Sequence, residues 1–82
     1  MDYKLTAHAR QRMRERNISI ELIEKAISNP TKISVDNKGV LVLKKTVLIK
    51  DKQRLLIIAG EIIENKFKIF TVIDTSKIKK YL

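Results

Sequence analysis

Residues 6–17 read TAHARQRMRERN and hold the single histidine of the chain, His8, with four of its five arginines. His8, Arg12 and Arg16 follow one another at four-residue steps, the spacing of one helical turn. A histidine beside guanidinium groups has the equipment for metal-independent phosphodiester cleavage. The imidazole moves the proton of a 2′-hydroxyl, and the planar guanidinium fork matches phosphate oxygens as charge builds on them. The same residues also suit an ordinary structural role. Arg12 and Arg16 can pair with acids, Glu24, Glu61 and Asp74 being available, with His8 a partly buried neutral side chain.

The element that carries these residues is a helix. Thr6 suits its N-cap and Asn17, tolerant of the left-handed conformation, its stop. A projection begun at Leu5 draws an apolar stripe through Leu5, Ala9 and Met13. Arg16 falls inside the stripe, Arg12 on its edge, and His8 and Glu15 on the same flank, so these groups are expected to face inward. Arg10 and Arg14 point away, onto a solvated face able to touch phosphate. A second helix over 20–28 follows, with Ser19 as N-cap, Ile20, Ile23 and Ile27 as its buried face, and Asn29-Pro30 as its end.

Beyond Pro30 the pattern becomes strand-like. KISV is a first strand and DNKG a turn with Gly39 at a positive φ. VLVLKKTVLIK is long enough to bulge near Lys44 and Lys45. RLLIIAGEII and FKIFTVID are joined by ENK, with Gly60 a candidate bulge. In the last strand Phe67, Ile69, Thr71 and Ile73 alternate onto one face, where the Thr71 hydroxyl interrupts an apolar row. β-Propensity accounts for a threonine there as readily as chemistry does. TSKIKKYL suits a last helical turn. The expected fold is α+β, one domain over 1–82: two N-terminal helices on one face of an antiparallel sheet of about four strands.

Composition narrows the function classes. The 82 residues carry a net charge of +9, which favours polyanionic partners. No cysteine is present, which excludes disulfides and thiolate metal sites, and one histidine excludes a histidine cluster; no metal or cofactor is expected. Nothing in the sequence reads as a membrane span, and MDYKLTAHAR is too polar for a signal peptide, so a cytoplasmic chain is expected. Lys44, Lys45, Lys50 and Lys52 read as a solvated edge that discourages strand aggregation while adding nonspecific attraction for phosphate. Lys77 and Tyr81 in the tail suit phosphate contact and stacking.

The run His8-Ala9, Arg12-Met13, Glu15-Arg16, Ile18-Ser19, with Asn29-Pro30 after it and TVIDTSKIKKYL at the end, resembles the family catalogued as domain of unknown function 4258. One difference is Asn17, where such sequences often carry glycine. That family is similar in layout to RelE-type toxin ribonucleases, in which N-terminal helices precede an antiparallel sheet. The resemblance implies a catalytic group of His8, Arg12 or Arg16, and Thr71. It implies an RNA-cleaving toxin covered by an acidic antitoxin. The alternatives are a noncatalytic nucleic-acid-binding domain using Arg10, Arg14, Lys44, Lys45 and Lys77, and an interaction module whose His8–Arg12–Arg16 group is purely structural.

Overall fold

The computed structural model describes residues 2–82, in the order β1 (Asp2–Leu5), α1 (Ala7–Arg16), α2 (Ile20–Ser28), β2 (Lys32–Val35), β3 (Leu41–Ile49), β4 (Lys52–Ile63), β5 (Lys66–Thr75) and α3 (Ile78–Tyr81). The class is mixed α+β, as expected, but the sheet has five strands in the order β1-β5-β4-β3-β2. The additional strand, β1, pairs in parallel with β5, Tyr3 beside Phe67 and Leu5 beside Ile69. The sheet is therefore mixed rather than wholly antiparallel. Four residues form no stable strand alone, and DYKL is extended because β5 offers it an edge some sixty positions away. Leu5 thus belongs to a strand and not to the stripe of α1.

The helix ends follow the local sequence. Ser19 Oγ accepts from the Leu22 N–H at 3.3 Å, and the Asn29 N–H closes α2 on the Lys25 carbonyl before Pro30. Ile23 and Ala26 of α2, with Ala9 and Met13 of α1, bury against Leu43, Leu56, Ile58, Phe67, Ile69 and Val72. These sheet residues share one face, so both helices cover the same side. Phe67 is wholly buried, a contribution of about 1.5–3 kcal/mol from its side chain alone.

Three hairpins set the register. The Asp36–Val40 hairpin places Gly39 at φ 84°. Lys50-Asp51 and Glu64-Asn65 are two-residue turns with positive φ at both positions, which matches the twist of the strands they join. β3 runs opposite β4 without interruption from Leu41↔Gly60 to Ile49↔Lys52, so the bulge expected near Lys44 and Lys45 does not form against β4. The irregularity does fall at Gly60, but the bulged strand is β5 and not β4. Gly60 faces Ile69 while Ala59 faces Thr71, leaving Phe70 as the extra residue of a β-bulge.

The second face of the sheet carries α3, which confirms a helical turn in the tail. Lys32 Nζ donates to the Leu82 carbonyl at 2.9 Å and Lys44 Nζ to that of Tyr81. Beneath this tail Leu55 is wholly buried and Ile57 nearly so. Among the described residues no helix is long and apolar enough to cross a membrane.

Candidate nucleic-acid interface

Helix α1 is fixed firmly at both ends. Thr6 Oγ1 accepts from the Ala9 N–H at 3.1 Å and donates to the Phe70 carbonyl at 3.3 Å, while the Thr6 N–H bonds the Ile69 carbonyl at 3.1 Å. One residue thus caps the helix and ties its first turn to the bulge in β5. At the other end Asn17 adopts φ 54°, with its N–H on the Arg14 carbonyl at 3.4 Å and the Ile18 N–H on the Met13 carbonyl at 2.9 Å. This pair of bonds is a Schellman motif, and it turns Ile18 back into the core beside Met13.

Between the caps only Ala9 and Met13 are buried, and every other position of α1 is exposed. The inward placement expected for His8, Arg12 and Arg16 is therefore not what forms. The projection took Leu5 as a helical residue, and the stripe left without it is too narrow to cover its shoulders. His8, Arg12 and Arg16 make one exposed row; Arg10 and Arg14 make a second, along the other side of the buried line. The second row lines a depression of about 400 Å³ with Leu5, Met13, Asn17 and Ile18.

The ion pairs considered for these arginines also take other forms. Arg12 meets Glu15 of its own helix at 3.8 Å, both side chains nearly half exposed, an arrangement that contributes little. Asp74 pairs instead with Arg54 at 2.5 Å, and Glu24 accepts from the Tyr3 hydroxyl at 3.1 Å. Glu15 is the sole acid on α1 against its four arginines. Like charges one turn apart repel, a cost that a polyanion lying along the helix would remove.

Thr71 is on the opposite side of the sheet from α1. Val72 and Ile58 face each other in the helix-covered core, so Thr71 and its neighbour Ala59 point to the second face. The bulge at Phe70 is the cause: one extra residue reverses the alternation, and Thr71 leaves the face held by Phe67 and Ile69. No hydrogen bond links Thr71 to His8 or Arg12 among the described residues. Lys44 and Lys45 also part company, Lys44 toward the second face beside Ile57 and Lys45 toward the helix side beside Leu56. Lys77 is exposed, its backbone N–H on Thr75 Oγ1 at 3.1 Å.

Two lysines escaped sequence reasoning. Lys4 and Lys68 are direct neighbours across the parallel β1–β5 pair, on the same face as Thr71. Their juxtaposition depends on β1, whose pairing has no local signal. Among the described residues no three His, Cys, Asp or Glu side chains gather as metal ligands would.

Tyr3 has a displaced titration. Burial, and then its hydrogen bond and proximity to the Glu24 carboxylate, raise its phenol above the ordinary 10.0. The stability it contributes is present below that ordinary value and lost as pH rises through the higher folded one. Unfolding measured above pH 10 is expected to show the wild type losing stability relative to Tyr3→Phe.

Fold and site together define a small basic α+β domain that displays an arginine-lined helix on one side of a mixed sheet. The chain belongs to the family of domain of unknown function DUF4258, whose model matches residues 5–74. No curated protein and no solved structure matches it.

Proposed function

We propose that the chain binds RNA along α1 and cleaves it without metal, with His8 as the proton-transfer group and Arg12 and Arg16 neutralising the phosphate. The observation that carries this reading is the exposed row His8–Arg12–Arg16 on a helix capped at both ends. His8 removes the 2′-hydroxyl proton and the 2′-oxygen attacks phosphorus. The bond to the 5′-oxygen breaks as that oxygen takes the proton back from the His8 imidazolium, directly or through water, giving a cyclic phosphate and a 5′-hydroxyl. The guanidinium groups favour the charge that develops on the phosphoryl oxygens. Thr71, on the other face, has no part in this set. A toxin role beside an acidic antitoxin is consistent with the +9 charge.

A second reading, RNA binding without cleavage, draws on the position of Thr71, which leaves His8 without the expected hydroxyl partner. RNA decay in EDTA separates the two. His8→Ala is expected to slow cleavage about 10²–10⁴-fold with RNA binding kept, and Arg12→Ala about 10²–10³-fold. Equal decay in all three proteins, or none in any, overturns cleavage. Both positions are exposed, so folding should survive either change.

A further inference from the structure

We propose that the free edge of β2 is a docking site for an extended, acidic segment of a partner protein, which adds to the sheet as a sixth strand. β2 is exposed along its whole length, and its outer side has no neighbour in the sheet. The direction of its backbone groups follows from the hairpin. The Asp36 N–H bonds the Val40 carbonyl at 3.0 Å, so Asp36, and by alternation Ser34 and Lys32, turn their polar groups toward β3. Ile33 and Val35 therefore turn theirs outward. The same two residues are 58% and 63% exposed, the largest apolar exposures in the strand.

Free hydrogen-bonding groups and bare β-branched side chains thus coincide at two alternate positions. An added strand would satisfy both at once, its backbone bonding Ile33 and Val35 and its apolar side chains lying beside theirs. Two usual protections of a sheet edge are absent from these positions, neither being a proline and neither being charged, and both side chains are exposed.

Charge selects the occupant. Lys38 lies in the adjoining turn and Lys45 on the helix side of the neighbouring strand, the face that Ile33 and Val35 share. Lys32 and Lys44 keep their charge on the second face as they donate to the Leu82 and Tyr81 carbonyls. Asp36, the nearby acid, has its carboxylate engaged by the N–H groups of Lys38 and Val40 at 2.8 and 2.9 Å. A second copy of this chain would bring another +9 to the contact, and RNA has no side chains to lie beside Ile33 and Val35. An acidic segment with alternating apolar residues fits both features. The inference stands whether or not α1 cleaves RNA.

The test uses the full chain and a fluorescent peptide of alternating valine and glutamate, with a valine–lysine peptide as control. Binding of the glutamate peptide is expected to slow amide exchange at Ile33 and Val35, and the lysine peptide is expected not to bind. Val35→Pro removes an outward N–H while sparing the bonds to β3, and should weaken binding about tenfold. The double change Ile33→Thr with Val35→Thr, which keeps strand propensity, should weaken it as well. Melting of each variant is followed by circular dichroism. Protection confined to α1, equal binding of the two peptides, binding untouched by the double change, or self-association through the edge each overturns the proposal.

Discussion

Gly60→Ala is expected to destabilise the fold by about 3 kcal/mol, the upper range for forcing extra atoms into packed structure. A Cβ at Gly60 would overlap the Lys68 carbonyl oxygen, and would stand 2.8 Å from the Lys68 carbonyl carbon and 2.9 Å from the Ile69 Cα. All three are backbone atoms of the adjacent strand and cannot swing aside as a side chain would. Relief requires β4 and β5 to separate at the bulge, beside the Ile69 and Phe70 carbonyls that hold Thr6. The first turn of α1 would loosen with it. Thermal unfolding should register a fall in Tm of roughly 12–24 °C for a domain of this size. An unchanged Tm would show that the close approach at Gly60 contributes nothing.

The second large effect concerns RNA. Replacing Arg10, Arg12, Arg14 and Arg16 together by alanine should weaken binding to single-stranded RNA by about 10²–10³-fold at low salt. The slope of log K against log salt should fall by about 2.8 in magnitude if each arginine meets one phosphate. All four side chains are exposed and alanine favours helix, so the fold should persist, and circular dichroism checks that it does. A control with Lys77, Lys79 and Lys80 changed to alanine carries nearly the same loss of charge from the tail instead. An equal loss of affinity in the control would mean that attraction is spread over the whole molecule and that α1 is not the interface.

These expectations rest on features of different legibility. Both caps of α1, the N-cap of α2 at Ser19, the stop before Pro30 and the positive φ of Gly39 were all readable, because each depends on a residue and its immediate neighbours. An irregularity at Gly60 was readable for the same reason, as a glycine inside an apolar strand, though not that the extra residue lies on β5. Its consequence was not. A single extra residue at Phe70 sends Thr71 to the far face, and periodicity projected through the strand carries no record of that insertion. The helical projection failed likewise at its first residue, since Leu5 is apolar whether it lies in a helix or a strand.

By itself the sequence determined the class of fold, the family, the position of the helix ends and the concentration of arginine on α1. These follow from local backbone preference and from composition. Only the tertiary structure decided that Asp2–Leu5 is a strand, that Lys4 stands beside Lys68, that His8, Arg12 and Arg16 face solvent, and that β2 is left with an open edge. Each of these depends on which distant segment lies alongside, and pairing between distant segments is settled by burial and hydrogen bonding across the whole sheet.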